Sequence, residues 1–284
     1  MREINKPALE KAGKTRFESD YNYAVYEYQR SPKIIKELDN EGIDYRNSII
    51  LDDGCGSGGI TVSLGEECKM AVGIDIAPKF EKTAVRLYKE LKLKGAHFLQ
   101  SDGCALPFSD DSFDLIISHS VIEHTDYPLK YLEEAFRILK KGGILFLETP
   151  PYYSFEGTHL PKPAVPIPFQ LFLPRSALYS LYLHISKKHP GFFRDGINGS
   201  ALLTSIRKGK TPEMEPLNKM KIGKLLKYSK KAGFEVMKEK RYYPKGFNKI
   251  MPRFIISLMI KLPLTRNFVV NTYKLFLVKN EKAI

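Results

Sequence analysis

Cysteine is scarce in this chain of 284 residues, which contains only Cys55, Cys68 and Cys104. An odd number of cysteines without a CxxC pair argues against a disulfide framework and against a cysteine-based zinc site. The sequence therefore predicts no metal ligands. Because disulfides mark oxidising compartments, a reducing cytoplasm is the expected location.

Long apolar runs are also missing. No stretch approaches the roughly 18 apolar residues that indicate a membrane span, and the strongest candidate, FIISLMI, ends at Lys261. The first residues, MREINKPALEKAGK, are charged and lack the apolar segment of a signal peptide. With 43% hydrophobic and 27% charged residues, we expect an ordinary globular protein of the cytoplasm.

Acidic residues become rare towards the end of the chain. Residues 186–284 carry 23 Lys and Arg against six Asp and Glu, a net charge of +17, whereas residues 1–185 carry 22 against 26. Such a basic region favours an anionic partner, either an acidic membrane surface or a nucleic acid. A solvated, solubility-giving face explains the same charge, so the sequence leaves these readings open.

Apolar segments alternate with amphipathic ones through the first half of the chain. Strands are predicted at 49–53, 70–75, 96–102, 113–120 and 144–150, and two more near the C-terminus at 234–243 and 271–280. The longest intervening helices are predicted at 78–95, 128–143 and 217–233. This alternation predicts an α/β fold with a doubly wound, mostly parallel sheet of seven strands.

We expect a single domain over residues 1–284, built from segments of different composition. A core is preceded by helices and followed by a cap insertion rich in proline and aromatic residues, and then by a basic region that contains an amphipathic segment. The N-terminal helices are expected at 1–47, the core at 48–150 and the cap at 151–216. The basic region covers 217–284 and contains the amphipathic segment at 249–266. The amphipathic segment is expected either in the core or at a membrane interface.

The stretch SIILDDGCGSGG, residues 48–59, runs from an apolar strand through two acids into a glycine loop and then a helix. This arrangement presents backbone amides to a ligand at a helix N-terminus. Gly54, Gly56 and Gly59 satisfy the dinucleotide motif GxGxxG, which alone is weak. Asp52 and Asp53 stand where they would repel a pyrophosphate, so the loop favours a cationic ligand instead.

Here the sequence resembles the class I S-adenosylmethionine-dependent methyltransferases. Their first motif, an acid and one residue before GxGxG, is matched by Asp52, Gly54, Gly56 and Gly58. The phrases FDLIISHSVIEHTDYP and LEEAFRILKKGGILFLETP match the family over their whole length. Asp53 departs from it, because the family usually has an apolar residue there. The resemblance covers about residues 45–150 and implies methyl transfer from S-adenosylmethionine.

The resemblance also implies further cofactor contacts at the ends of the predicted strands. Asp75 is the counterpart of the acid that binds both ribose hydroxyls, with Ile76 beside it. Asp102 and the Gly103 amide correspond to the adenine contact. His119 falls where the family lines the sulfonium.

An oxygen or nitrogen acceptor often needs a general base, and histidine is the natural candidate near neutral pH. His159 and His124 are the catalytic candidates, with Glu156 a weaker third, and each has a structural alternative. The TPPY sequence at 149–152 resembles a nucleic-acid amino-methyltransferase motif but follows the fifth strand rather than the fourth. We therefore reject that interpretation.

Three hypotheses about function follow. The cap and the basic, partly apolar C-terminal region resemble those of methyltransferases that act on a glycan, a lipid or a lipid-linked small molecule, with the protein on an anionic membrane surface. An RNA methyltransferase would use the basic region as an electrostatic footprint. A partner subunit would bind the cofactor without catalysis. A nicotinamide oxidoreductase is a distant fourth.

Overall fold

The computed structural model describes residues 6–162, 169–193, 200–211, 213–214, 216–244, 247 and 251–280. Parts of several predicted segments lie outside the described residues. They are 1–5 of the N-terminal helices, 163–168, 194–199, 212 and 215 of the cap, 245–246 and 248 of the basic region, 249–250 of the amphipathic segment, and the terminal 281–284.

The sheet has seven strands in the order β3-β2-β1-β4-β5-β7-β6. Their bounds are β1 Ile49–Asp53, β2 Met70–Asp75, β3 Ala96–Gln100, β4 Phe113–His119, β5 Leu139–Thr149, β6 Glu235–Tyr242 and β7 Thr272–Val278. Strand β1 pairs in parallel with β2 and with β4, and β2 pairs in parallel with β3. The predicted α/β fold with a mostly parallel seven-stranded sheet is confirmed, with one antiparallel hairpin.

Eleven α-helices are found in the described part of the chain. They are α1 Lys6–Lys14, α2 Asp20–Arg30, α3 Pro32–Asn40, α4 Gly59–Glu67, α5 Phe80–Leu91, α6 Pro128–Ile138, α7 Arg175–Lys188, α8 Ala201–Arg207, α9 Ile222–Ala232, α10 Arg253–Lys261 and α11 Pro263–Val269. In the part of the chain that the structure describes, no helix is long and apolar enough to cross a membrane.

Two predicted helix ends were wrong. Helix α6 ends at Ile138 and β5 begins at Leu139, so the KKGG stretch belongs to the strand and not to the helix. The reason is a distant partner, because the Gly142 amide donates to the Lys279 carbonyl and the Lys279 amide donates to the Gly143 carbonyl. Helix α5 ends at Leu91, where Lys92 adopts the left-handed conformation (φ 55°), rather than at Gly95.

The chain separates into two compact units. The first comprises Met1–His119, Lys130–Phe146 and Val278–Ile284, and the second comprises Ser120–Leu129 and Leu147–Leu277. In the first unit, α2 packs on α4 and α5 around a buried apolar cluster that includes Val25, Val62 and Leu87.

The second unit has hydrophobic clusters of its own. Tyr182 and Phe193 are buried with four leucines of the predicted cap: Leu160, Leu178, Leu202 and Leu203. Helix α10 buries Ile256 in a second cluster and partly buries Met259 and Ile260 beside it. Two aromatic residues of the cap therefore belong to a buried apolar cluster, and one face of α10 also buries apolar side chains.

Candidate functional site

The loop between β1 and α4 turns on three glycines with positive φ: Gly54 (81°), Gly56 (54°) and Gly58 (83°). A Cβ on Gly58 would lie 2.5 Å from the Ala84 Cβ and 2.8 Å from the Phe98 ring, so packing alone demands glycine there. A Cβ on Gly56 would meet nothing within 4 Å. The backbone at Gly56 therefore faces open space that a ligand can fill.

Asp75, the last residue of β2, faces this loop. Its Oδ2 accepts a hydrogen bond of 2.8 Å from the Gly56 amide, and its Oδ1 accepts one of 2.8 Å from the Ala77 amide. Each carboxylate oxygen keeps a second lone pair, so the side chain can also accept two hydroxyl groups. Beside it, Ile76 is 71% exposed and offers an apolar surface.

Asp102 lies two residues beyond β3, in a loop, and not at the end of the strand as predicted. Its Oδ1 accepts a 2.8 Å hydrogen bond from the Cys104 amide, which fixes the turn. A Cβ on the intervening Gly103 would lie 2.8 Å from Asp53 Oδ1. Glycine at 103 therefore lets the β3 loop approach the acids at the end of β1.

Both acids at the end of β1 are buried. Asp52 Oδ2 accepts a 2.6 Å hydrogen bond from the Thr61 hydroxyl of α4. Burial raises the pKa of Asp52 to about 6 and that of Asp53 to about 7, with the neighbouring carboxylates adding to both shifts. Asp53 Oδ2 is buried without a hydrogen-bond partner among the described residues.

Glu27 of α2 is a third buried acid near this loop, and the sequence analysis missed it. Burial raises the pKa of Glu27 to about 8, with repulsion from Asp52 and Asp75 adding to the shift and Arg30 opposing it. Its Oε2 has no hydrogen-bond partner among the described residues. The available signal was weak, since Glu27 follows the buried Ala24 by three residues on one helix face.

His119 ends β4 as predicted, and its Nδ1 lies 3.0 Å from Arg30 Nη2. This contact joins the N-terminal helices to the end of β4. Both residues act to lower the pKa of Asp52, against the larger effect of its burial. The first unit thus places all the predicted cofactor residues at the carboxyl ends of β1 to β4 or in the loops that follow them: Asp52, Gly54, Gly56, Gly58, Asp75, Ile76, Asp102, Gly103 and His119.

The second unit brings two of the catalytic candidates together. The His124 and His159 ring centroids are 4.9 Å apart, and His159 Nε2 lies 3.7 Å from Glu123 Oε1. Glu123 also accepts a 2.8 Å hydrogen bond from the Thr149 hydroxyl on Oε2. We call Glu123, His124 and His159 the histidine cluster.

The third candidate, Glu156, lies outside the histidine cluster. Its Oε1 pairs with Lys162 Nζ at 2.8 Å and lies 3.4 Å from Asn271 Nδ2. These contacts to a lysine and an amide hold the Glu156 side chain in place, which favours a structural role.

Comparisons with known proteins agree with this geometry. Residues 51–147 match the family described as methyltransferase domain. An uncharacterized methyltransferase of Mycobacteroides abscessus is 27% identical over 119 residues, which cover 42% of this chain and 46% of the relative. A demethylmenaquinone methyltransferase of Lactococcus lactis is 36% identical over 104 residues, 35% of this chain and 41% of the relative. These alignments span less than half the length of the curated relatives.

The fold is shared with a solved S-adenosylmethionine-dependent methyltransferase from Mesorhizobium loti. The TM-score is 0.53 at 18% identity, and the match covers 86% of this chain and 96% of that one. Residues 51–147 form a methyltransferase domain of class I. Its cofactor is S-adenosylmethionine.

The residues of the first unit fit this cofactor. The Asp75 oxygens have lone pairs for the two ribose hydroxyls, and exposed Ile76 can cover the adenine. The open space at Gly56 would accommodate the amino-acid end. Glu27 Oε2 and Asp53 Oδ2 are buried without a hydrogen-bond partner among the described residues, and the cofactor would bring an ammonium and a sulfonium to such acids.

Proposed function

We propose that the whole chain transfers the methyl group of S-adenosylmethionine to an acceptor molecule. The observation that carries this proposal is the Asp75 carboxylate, held by the Gly56 and Ala77 amides with hydroxyl-accepting capacity left over. When bound, the cofactor supplies an activated methyl group. The chain contributes positioning, which supplies much of the rate of an in-line displacement.

The test is calorimetric titration of the full chain with S-adenosylhomocysteine and, separately, with NADH. Micromolar binding of S-adenosylhomocysteine alone supports the proposal. Binding of NADH alone would overturn it, because the acids after β1 would then have been misinterpreted. Cofactor binding without turnover on any acceptor would instead favour the non-catalytic partner subunit.

We further propose that the acceptor is a lipid or a lipid-linked molecule, such as a lipid-linked glycan, met at an anionic membrane surface. Helix α10 supports this proposal. Its Phe254 is 74% exposed and Leu258 is 56% exposed, one turn apart, while exposed Arg253 and Lys261 flank them. An exposed apolar pair between cations matches the interfacial region of an acidic bilayer.

The charge of the surrounding sequence supports the same partner. Residues 186–284 carry a net charge of +17, and each Lys or Arg near an acidic bilayer contributes about 1 kcal/mol of attraction. We propose that the protein is cytoplasmic and binds the membrane peripherally. The three cysteines are free, which is consistent with a reducing compartment.

Flotation with vesicles tests the surface. We expect vesicles of phosphatidylglycerol and phosphatidylcholine to retain the protein at low salt, and pure phosphatidylcholine not to. The double variant Phe254→Ser/Leu258→Ser should lose retention. The matched control Leu171→Ser/Phe172→Ser changes two exposed apolar residues elsewhere in the second unit and should keep it.

Two outcomes would reject the lipid surface. Equal retention of both double variants would show that α10 takes no part in binding. Tight binding of RNA with a steep salt dependence, and no retention by vesicles, would show instead that the basic region binds an RNA acceptor.

A further inference from the structure

The histidine cluster has the composition of a metal site. Glu123, His124 and His159 each offer one ligand atom, and the three atoms lie within 4.8 Å of one another. Two imidazoles and one carboxylate form the ligand set of several catalytic zinc and non-haem iron centres. Small side-chain movements would bring these atoms to bonding distance of one ion.

An unsatisfied carboxylate oxygen points independently to a cation. Glu123 is 3% exposed, and its Oε1 has no hydrogen-bond partner among the described residues. His159 Nε2, at 3.7 Å, is too far away to donate one. Leaving a buried charged oxygen unpaired is costly. A bound cation would remove that cost.

The turn that carries Glu123 and His124 is braced from outside. The side-chain Nδ2 of Asn218 donates to the carbonyls of Ile122 and Thr125, both at 2.7 Å. The backbone amide of Asn218 donates to the Glu123 carbonyl at 2.8 Å. Three hydrogen bonds from one residue fix the backbone on both sides of the two candidate ligands. Hydrogen bonds from surrounding residues that hold the ligand residues in place are typical of metal sites.

The backbone at His159 is also constrained. Its φ of 55° lies in the left-handed region, which is uncommon for a residue other than glycine. The His159 amide donates to the Glu156 carbonyl at 3.0 Å, closing a tight turn. Strained backbone of this kind clusters at ligand clamps, where the surrounding structure holds a side chain in place.

We propose that Glu123, His124 and His159 bind one divalent transition-metal ion of the class that imidazole prefers, such as Zn²⁺ or Co²⁺. Imidazole suits zinc, copper, iron and nickel, whereas magnesium and calcium take oxygen ligands. Three protein ligands leave at least one coordination position open. Water or an oxygen of another molecule fills that position. Nothing in this proposal depends on methyl transfer.

The test uses the full chain without a histidine tag, stripped of metal with a chelator. Co²⁺ is titrated while its visible absorption is recorded, and Zn²⁺ binding is measured by calorimetry. We expect one ion per chain, and at least tenfold weaker binding in Glu123→Gln, His124→Ala and His159→Asn. Asparagine is chosen at 159 because it tolerates positive φ better than most residues.

The matched control is His184→Ala, which removes an exposed histidine of the same unit and should bind both ions like the parent. Far-UV circular dichroism and S-adenosylhomocysteine affinity report whether each variant remains folded. If folded Glu123→Gln and His124→Ala variants bind Co²⁺ as tightly as His184→Ala does, the site does not exist. Absence of any stoichiometric binding by the parent would equally overturn it.

Discussion

The Gly56 amide donates a hydrogen bond to Asp75 Oδ2 at 2.8 Å, which ties the loop after β1 to the end of β2. The two residues are 19 positions apart in sequence. Parallel pairing of β1 with β2 brings their carboxyl ends together, and a ligand at this edge therefore meets both. The carboxylate thus orders the loop, and we propose that it also binds the cofactor.

Replacing Asp75 by alanine should weaken S-adenosylmethionine binding at least tenfold, or about 1.4 kcal/mol. The variant loses two ribose hydrogen bonds to a carboxylate and loosens the Gly56 loop. Calorimetry measures the affinity. Asp39→Ala, which removes an exposed carboxylate of the same unit, is the control and should bind normally. Unchanged affinity in Asp75→Ala would show that Asp75 does not bind the ribose.

Two glycine substitutions should separate packing from ligand binding. Gly58→Ala places a methyl group 2.5 Å from Ala84 at a φ of 83°, and overpacking and left-handed strain together should cost roughly 2–4 kcal/mol of folding free energy. Gly56→Ala meets no neighbour within 4 Å and should cost about 1–2 kcal/mol from left-handed strain alone. Urea unfolding measures both.

The ranking of the two glycine variants by cofactor affinity should differ from their ranking by folding free energy. Gly56→Ala fills the open space at the loop and should weaken S-adenosylhomocysteine binding despite a nearly normal fold. If Gly56→Ala bound the cofactor like the parent, the amino-acid end of the ligand would have to lie elsewhere.

The affinity for S-adenosylmethionine should rise between pH 5.5 and pH 7.5. Burial raises the pKa of Asp52 to about 6, of Asp53 to about 7 and of Glu27 to about 8. These groups are therefore largely protonated at the lower pH and gain negative charge across the interval. A cationic ligand binds the ionised forms better, and calorimetry at several pH values measures the slope.

The ligand-free protein should show the opposite trend in stability. A carboxyl group whose folded pKa is raised stabilises the fold below its unfolded value, near 4, and that contribution disappears as the pH passes the folded pKa. Thermal unfolding should thus occur at lower temperature as the pH rises from 5 to 8. Asp53→Asn removes one titrating group and should flatten both profiles, and a profile as steep as the parent's would contradict the assignment.

Asn218→Ala should destabilise the second unit by about 1–3 kcal/mol, because the Ile122 and Thr125 carbonyls lose their side-chain donor. The resulting freedom of the turn should also weaken Co²⁺ binding. Asn47→Ala, which breaks the exposed hydrogen bond from Asn47 Nδ2 to Asp44 Oδ2, is the matched control. Denaturant unfolding checks the first effect and Co²⁺ absorption the second.

Local sequence was sufficient for much of the first unit. The bounds of β1 and β2 follow from short apolar runs that end in Asp53 and Asp75, and the glycines between β1 and α4 mark a turn with positive φ. The motif around Asp52 and Gly58 could therefore be recognised from the local sequence. Strand β5 was predicted, but its start was wrong, because the pairing of Gly142 and Gly143 with Lys279 depends on a distant residue.

The sequence by itself determined the fold class, the cofactor loop and its acids, because strand periodicity and glycine conformation are local properties. The tertiary structure decided which distant side chains share a site. Burial of Glu27 beside the β1 acids depends on how α2 packs on α4. The meeting of His159 with Glu123 and His124 depends on loops 35 residues apart. No local pattern records such long-range contacts, since burial and desolvation exist only once the chain has folded.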